Sequence, residues 1–264
     1  MDNSIPRTRL PAVVLAGAPA EPELKERYSV AYRAEVPIGG KKMVQHVIDA
    51  LGASSRVGSI YVAGDVECED ATQIIPSAGG FTDNLVAGVK ACVSSAADDH
   101  VLVVTSDIPL VTSSAIDDFI ERCGELDADL YYSIISREAN ERRFPGARRT
   151  YARLAEGTFT GGNIVVVSAR LIMENAGLIR KMADARKSVL QLARLIGLRI
   201  LLRAVIAQVL WAKAINLALL EGTLGRVLGA KVKAVQTPFA EIGADVDDIE
   251  QLETVQSAMG GRTE

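Results

Sequence analysis

The stretch VLVVTSDIPLVT, residues 101–112, sets four consecutive apolar residues, Val101, Leu102, Val103 and Val104, ahead of Thr105, Ser106 and Asp107, and then Ile108 and Pro109. Four apolar residues in a row leave no polar face, as in a parallel strand covered by helices on both sides. Pro109 has no amide hydrogen and biases Ile108 away from helix, so the strand ends there and the chain turns. A carboxylate at the end of so buried a strand is costly unless something compensates it. Two readings stand for Asp107: a ligand of a divalent cation, the compensation that suits phosphate chemistry, or a residue that caps a helix or braces the loop.

Working outward, similar runs occur upstream in AVVLAG (12–17) and SIYVAGD (59–65). Strands are expected at Pro11 to Gly17, Ser59 to Asp65 and Val101 to Asp107, alternating with amphipathic helices at Met43 to Ala53, Thr82 to Val93 and Ser113 to Leu126. This βαβαβ order implies an α/β fold with a doubly wound, mainly parallel sheet. Thr112, Ser113 and Ser114 offer N-caps for the third helix, with Asp117 and Asp118 early in it to suit the helix dipole. LYYSIIS (130–136), TYARLAEG (150–157), NIVVVS (163–168) and KVKAVQT (231–237) read as later strands. The polar EANERRFPGARR (138–149) reads as an exposed loop, and Asp247 or Asp248 is placed to cap a closing helix. Residues 169–228 are mostly helical and read as an insertion within a single domain spanning 1–264.

The 264 residues, 48% of them hydrophobic, supply ample core, and a net charge of -4 offers no basic excess for a nucleic-acid partner. Cys68, Cys92 and Cys123 form no CxxC pair, which argues for reduced thiols in a cytoplasmic protein rather than a disulfide framework or zinc cluster. Arg7 and Arg9 before LPAVVLAGAPA look like a short secretory signal, yet the same residues make better sense as a first strand running into a functional loop. His46 and His100 lack any surrounding acid or nucleophile motif and read as structural. Between residues 175 and 220, eight basic side chains face one acidic residue, Asp184. Three readings stand for this region: core with snorkelling arginines, an oligomer face such as a homodimer's, or a surface at 180–213 that meets anionic lipid or a lipidic acceptor.

Ligands of an open parallel sheet bind beyond the carboxyl ends of its strands. LAGAPA (15–20) falls there, and its Gly17 and Ala18 keep side chains away from an approaching ligand while loop amides offer phosphate contacts. A plain small-residue turn is the alternative.

Taken in order, LAGAPA, VPIGGKKMVQHVIDAL (36–51), VVTSDIPLVT, TFTGGNIVVV (158–167) and EIGADVDDIEQL (241–252) resemble the nucleotidyltransferases typified by the molybdenum-cofactor guanylyltransferase, the MobA-like family. The resemblance implies a Rossmann-like three-layer sandwich of the glycosyltransferase-A type, with a helical insertion. It implies that Leu15, Ala16, Gly17 and Ala18 wrap a triphosphate, that Arg33 and Lys41 neutralise it, and that Gly80, Thr82 and Asn84 lie close to the base; for Thr82, simple helix capping is the alternative. It further implies that Asp107, with Asp247 or Asp245, binds Mg²⁺ or Mn²⁺, and that Gly161, Gly162 and Asn163 lie on the acceptor side. Ala18, Arg33 and Lys42 replace the family's usual glycine, lysine and proline. The reaction so implied is transfer of a nucleoside monophosphate from a nucleoside triphosphate to a small acceptor, with Arg33 and Asp107 as catalytic residues. Two rivals remain: a glycosyltransferase using a nucleotide sugar, and an inactive nucleotide-binding regulator.

Overall fold

The computed structural model describes residues 9–93, 100–185 and 215–260. Its centre is one mixed sheet. Strands β1 (Leu10–Leu15), β4 (Val57–Ala63), β5 (Gln73–Ile75) and β6 (His100–Thr105) run parallel, and β7 (Leu130–Ser136) pairs parallel with β10 (Val232–Thr237). Between β6 and β7 lies β9 (Gly157–Ser168), antiparallel to both, with the short β8 (Ala152–Leu154) on its far end. The order is β5-β4-β1-β6-β9-β7-β10. The chain therefore leaves β1 toward one edge and returns to β6 on the other side, so the crossover point falls between β1 and β6, where Leu15 pairs with Thr105.

Alternate residues of each strand enter opposite layers, as the two-residue strand period requires. Ala12, Val14, Leu102 and Val104 pack under α2 (Met43–Gly52), α4 (Ser113–Cys123) and α8 (Ile249–Gly260). Val13, Leu15, Val101 and Val103 pack under α3 (Phe81–Val93), α6 (Ala169–Ala185) and α7 (Leu217–Leu228). Both faces are thus dry, which is why these strands carry no alternation. LPAVVL, the stretch with the look of a secretory signal, is the central strand β1, buried throughout.

Local chemistry sets the element ends. The Thr112 hydroxyl accepts from the Ala115 amide and starts α4. Ile108 and Leu110 are fully buried and anchor the turn that carries Asp107. Gly39 and Gly40 turn a small hairpin of β2 (Pro37–Ile38) and β3 (Lys41–Lys42) after α1 (Pro22–Tyr28).

Three expectations are corrected. The polar run 138–149 is not all loop: Arg137–Arg143 forms helix α5, capped by Ser136 and braced by an Arg137–Glu141 pair one turn apart. Helix α3 starts at Phe81, so Thr82 is not its cap but a buried residue of its first turn. The strand expected over 150–157 shrinks to Ala152–Leu154, while that expected from Asn163 begins at Gly157. Of the region 169–228, α6 and α7 are described; residues 186–214, and with them most of the proposed lipid-facing segment 180–213, lie outside the described residues.

Candidate active site

A cleft of about 580 Å³ opens at the carboxyl ends of β1 and β6. Its floor is Leu15 and Thr105, and its walls come from three loops. The first, Ala16 to Glu21, leaves β1 and pairs with the segment ahead of α2: Arg33 donates its backbone N–H to Ala18 at 3.0 Å, and Ala20 donates to Ala31 at 3.0 Å. Arg33 is thereby carried on the same frame as the small-residue loop. The second wall is Gly79 to Asn84 at the start of α3. Asn84 is buried, accepts from the Ala78 amide at 2.7 Å, and packs so close to Gly17 that a Cβ there would stand 2.1 Å from its side-chain nitrogen. Any side chain at position 17 would require Asn84 to shift.

The third wall joins residues far apart in sequence. The Val246 amide donates to the Asp107 carbonyl at 2.9 Å, tying the segment after β10 to the end of β6. Asp248 accepts from the Gln251 amide at 2.8 Å and caps α8, with the Gln251 side chain returning to the Asp248 amide at 3.3 Å. Asp248 takes the capping role, and the Asp247 carboxylate is left to face the cleft.

There a single nitrogen gathers the charges. Arg33 Nη1 donates to Asp107 at 2.8 Å and also to Asp247, while its Nε donates to Glu21 at 3.1 Å and its Nη2 to the other Glu21 oxygen. The Arg33 and Asp107 side chains are only 13% and 14% exposed, so screening by water is weak. Burial pushes the Asp107 carboxyl above its ordinary range; the Thr105 hydroxyl and Arg33 oppose that shift, and Asp245 adds to it. Burial also raises the Asp247 carboxyl, against Arg33 and with help from Asp245 and Asp107. Burial works against the Arg33 charge, but the Glu21 hydrogen bond and the surrounding carboxylates more than offset it. Asp245 lines the cleft too, yet its carboxylate pairs with Arg149.

Of the residues singled out from sequence, Leu15, Gly17, Ala18, Arg33, Gly80, Asn84, Asp107, Asn163, Asp245 and Asp247 line this one cleft. Four do not. Ala16 is buried behind the loop, and Thr82 is buried in α3. Lys41 sits in its hairpin, 2.7 Å from Asp49. Gly162 is buried against Ser133 and Ile242. The cleft also contains residues that sequence reasoning passed over: Glu21, Thr105, Ser106, Gly79 and Phe81. Thr105 had a signal, since it lies two residues before Asp107 and its hydroxyl donates to that carboxylate.

Among the described residues, no three His, Cys, Asp or Glu side chains are grouped to hold a metal ion. Asp107 and Asp247 nonetheless converge on one cationic nitrogen, and two carboxylates completed by substrate phosphates are a usual Mg²⁺ site. The donor set fits such an ion.

A family model described as the MobA-like NTP transferase domain matches residues 12–204. The chain belongs to this family. Solved structures named as transferases and nucleotide-sugar synthetases share its fold. A hypothetical transferase from Thermus thermophilus is 36% identical, with a TM-score of 0.82 over 93% of this chain and all of that one. A CMP:2-keto-3-deoxy-manno-octonic acid synthetase complexed with CTP is 14% identical over 97% of this chain and 99% of that one, with a TM-score of 0.54, a likeness of fold. Two 8-amino-3,8-dideoxy-manno-octulosonate cytidylyltransferases, from Shewanella sp. and Shewanella putrefaciens, are 32% identical over 38% of this chain. The match spans 46% of those relatives' length. As a MobA-like protein the chain is a nucleotidyltransferase by family. No helix among the described residues is long and apolar enough to cross a membrane.

Proposed function

We propose that this protein transfers a nucleoside monophosphate, with cytidine the favoured base, from a nucleoside triphosphate to a small phosphorylated or hydroxyl acceptor. The acceptor oxygen attacks the α-phosphorus in line; the new P–O bond forms as the bond to the β-phosphate oxygen breaks, pyrophosphate leaves, and a hydroxyl acceptor gives up its proton to solvent. The observation that carries this reading is the convergence of Asp107 and Asp247 on Arg33 Nη1, beside the Gly17–Ala18 loop at the crossover point of the sheet. Such chemistry needs little covalent work from the protein and much positioning of charge.

The Gly17–Ala18 loop and Arg33 hold the triphosphate chain, and Asp107 and Asp247 would hold Mg²⁺. The ion, when bound, neutralises charge developing on the α-phosphate and the leaving group. Thr105 orients the Asp107 carboxylate. Asn163 lines the cleft from β9, and in this reading it meets the acceptor there. Cytidine is favoured by the cytidylyltransferase names among the relatives. Cys68, Cys92 and Cys123 are thiols, which accords with a cytoplasmic setting.

Release of pyrophosphate from each of the four ribonucleoside triphosphates, with Mg²⁺ and a metabolite extract as acceptor source, tests the reading. Asp107→Ala is expected to fold and to lose about 10²-fold or more in rate. Wild-type turnover in that variant sinks the assignment. Nucleotide binding without any pyrophosphate would favour an inactive regulator, and release of a nucleoside diphosphate from a nucleotide sugar would favour a glycosyltransferase.

A further inference from the structure

Glu21 is out of place in a cleft that takes polyphosphate. Its carboxylate lines the same wall as Gly17 and Ala18, where it repels any phosphate chain laid along the loop. It also stands at the N-cap position of α1, with extended backbone, yet makes no side-chain capping bond there. Glutamate is a poor choice for that position, where Ser, Thr, Asp and Asn serve best. Both oxygens are instead given to Arg33: one accepts from Nε at 3.1 Å and the other from Nη2. A two-point grip of this kind fixes the plane of a guanidinium as well as its place. It occupies the Nε–Nη2 edge and turns Nη1 toward Asp107 and Asp247.

We propose that Glu21 is a positioning residue for Arg33, holding the guanidinium by one edge so that Nη1 is presented to the incoming triphosphate. The inference rests on the nucleotidyltransfer reading of this cleft. On binding, Nη1 exchanges its carboxylate partners for a phosphate oxygen while Nε and Nη2 stay on Glu21. Arg33 then needs no new rotamer search at the moment of binding, and the repulsion from Glu21 is offset by the order it imposes.

The two accounts of Glu21 predict opposite signs. If its charge alone matters, Glu21→Gln tightens binding of an anion; if it positions Arg33, the same change weakens it. Calorimetric titration of inorganic tripolyphosphate and of CTP, each in EDTA and in Mg²⁺, is to be run on the wild type, Glu21→Gln, Arg33→Gln and the double variant, with melting curves to establish folding. Glu21→Gln is expected to weaken both ligands about tenfold, as for loss of a hydrogen bond to a charged group. In the Arg33→Gln background the same change is expected to cost nothing, because there is no guanidinium left to hold. Equal or tighter binding by Glu21→Gln overturns the proposal, as does a loss that persists without Arg33. A wild type that binds neither ligand overturns the reading of the cleft itself.

Discussion

The charge of Asp107 is costly in its surroundings, and that cost is measurable. Burial pushes its carboxyl above the ordinary range despite Thr105 and Arg33. A carboxyl whose folded pKa is raised supports the fold fully only below its unfolded pKa, and the support is lost as pH rises through the folded value. At neutral pH the native state therefore carries a penalty that a neutral group of the same shape would not. Asp107→Asn should melt no lower than the wild type at pH 7, and its advantage should shrink as the pH is lowered toward 4. At about 2–4 °C per kcal/mol for a chain of this size, differential scanning calorimetry resolves the difference. A variant that melts several degrees lower at pH 7 would mean that the Arg33 pair outweighs desolvation. The metal-ligand role proposed for Asp107 can be read from sequence, because an apolar run ending on a carboxylate is costly on its face. That of Glu21 cannot, because nothing in EPELKER marks a glutamate as the partner of an arginine twelve residues on. Its role depends on a loop and a helix cap that exist only once the chain folds.

At the scale of elements, the glycines of TFTGGN carry a packing role besides their expected place near the acceptor. Gly161 and Gly162 belong to β9, and a Cβ on Gly162 would stand 2.3 Å from Ser133 Oγ and 2.7 Å from Ile242 Cγ2. Ile242 lies in the 3₁₀ turn Ala240–Gly243, which leads directly into Asp245 and Asp247. Gly162 thus lets that turn settle on the sheet and sets the height of the acidic segment. Gly162→Ala is expected to lower stability by about 1–3 kcal/mol through overpacking, a drop of several degrees in Tm. It should weaken nucleotide and metal binding together. A variant with unchanged Tm and nucleotide affinity but altered acceptor KM would show that Gly162 serves the acceptor side instead. Helix α5 shows the opposite lesson. Its signals were present in sequence, Ser136 as a cap and the Arg137–Glu141 spacing, but the polar composition of the run concealed them. A short helix that buries little beyond Ala139 and Asn140 has almost no apolar stripe to reveal it.

For the molecule as a whole, the doubly wound half of the sheet was legible because its strands are apolar on both faces. The place of β9 was not. NIVVVS looks like any other covered strand, and its antiparallel insertion between β6 and β7 is decided by pairing across the whole sheet. That order brings four carboxylates, Glu21, Asp107, Asp245 and Asp247, to one cleft with Arg33, and it has a consequence for how ligands load. On the proposed reading, a divalent ion arriving alone would have to displace Arg33 Nη1 from both Asp107 and Asp247. A triphosphate arriving alone meets four acidic groups. Arriving together, each would relieve the other: Arg33 would pair with phosphate, and the carboxylates would hold the ion. Binding should therefore be strongly coupled, and by linkage equally so in both directions. At 100-fold excess over its Kd, a ligand stabilises the fold by about 2.7 kcal/mol, or about 5–10 °C at this size. Nucleoside triphosphate with Mg²⁺ should reach that range in a thermal-shift titration, whereas Mg²⁺ alone should move Tm by less than about 1 °C at the same concentration. Arg33→Gln should reverse the second result, since a vacated pair of carboxylates can take the ion unaided. Arg149→Gln, which removes an equal charge beside Asp245 without touching Asp107, should not. Shifts that simply add, with Mg²⁺ alone as effective as in the pair, would show that Arg33 does not stand in the ion's place.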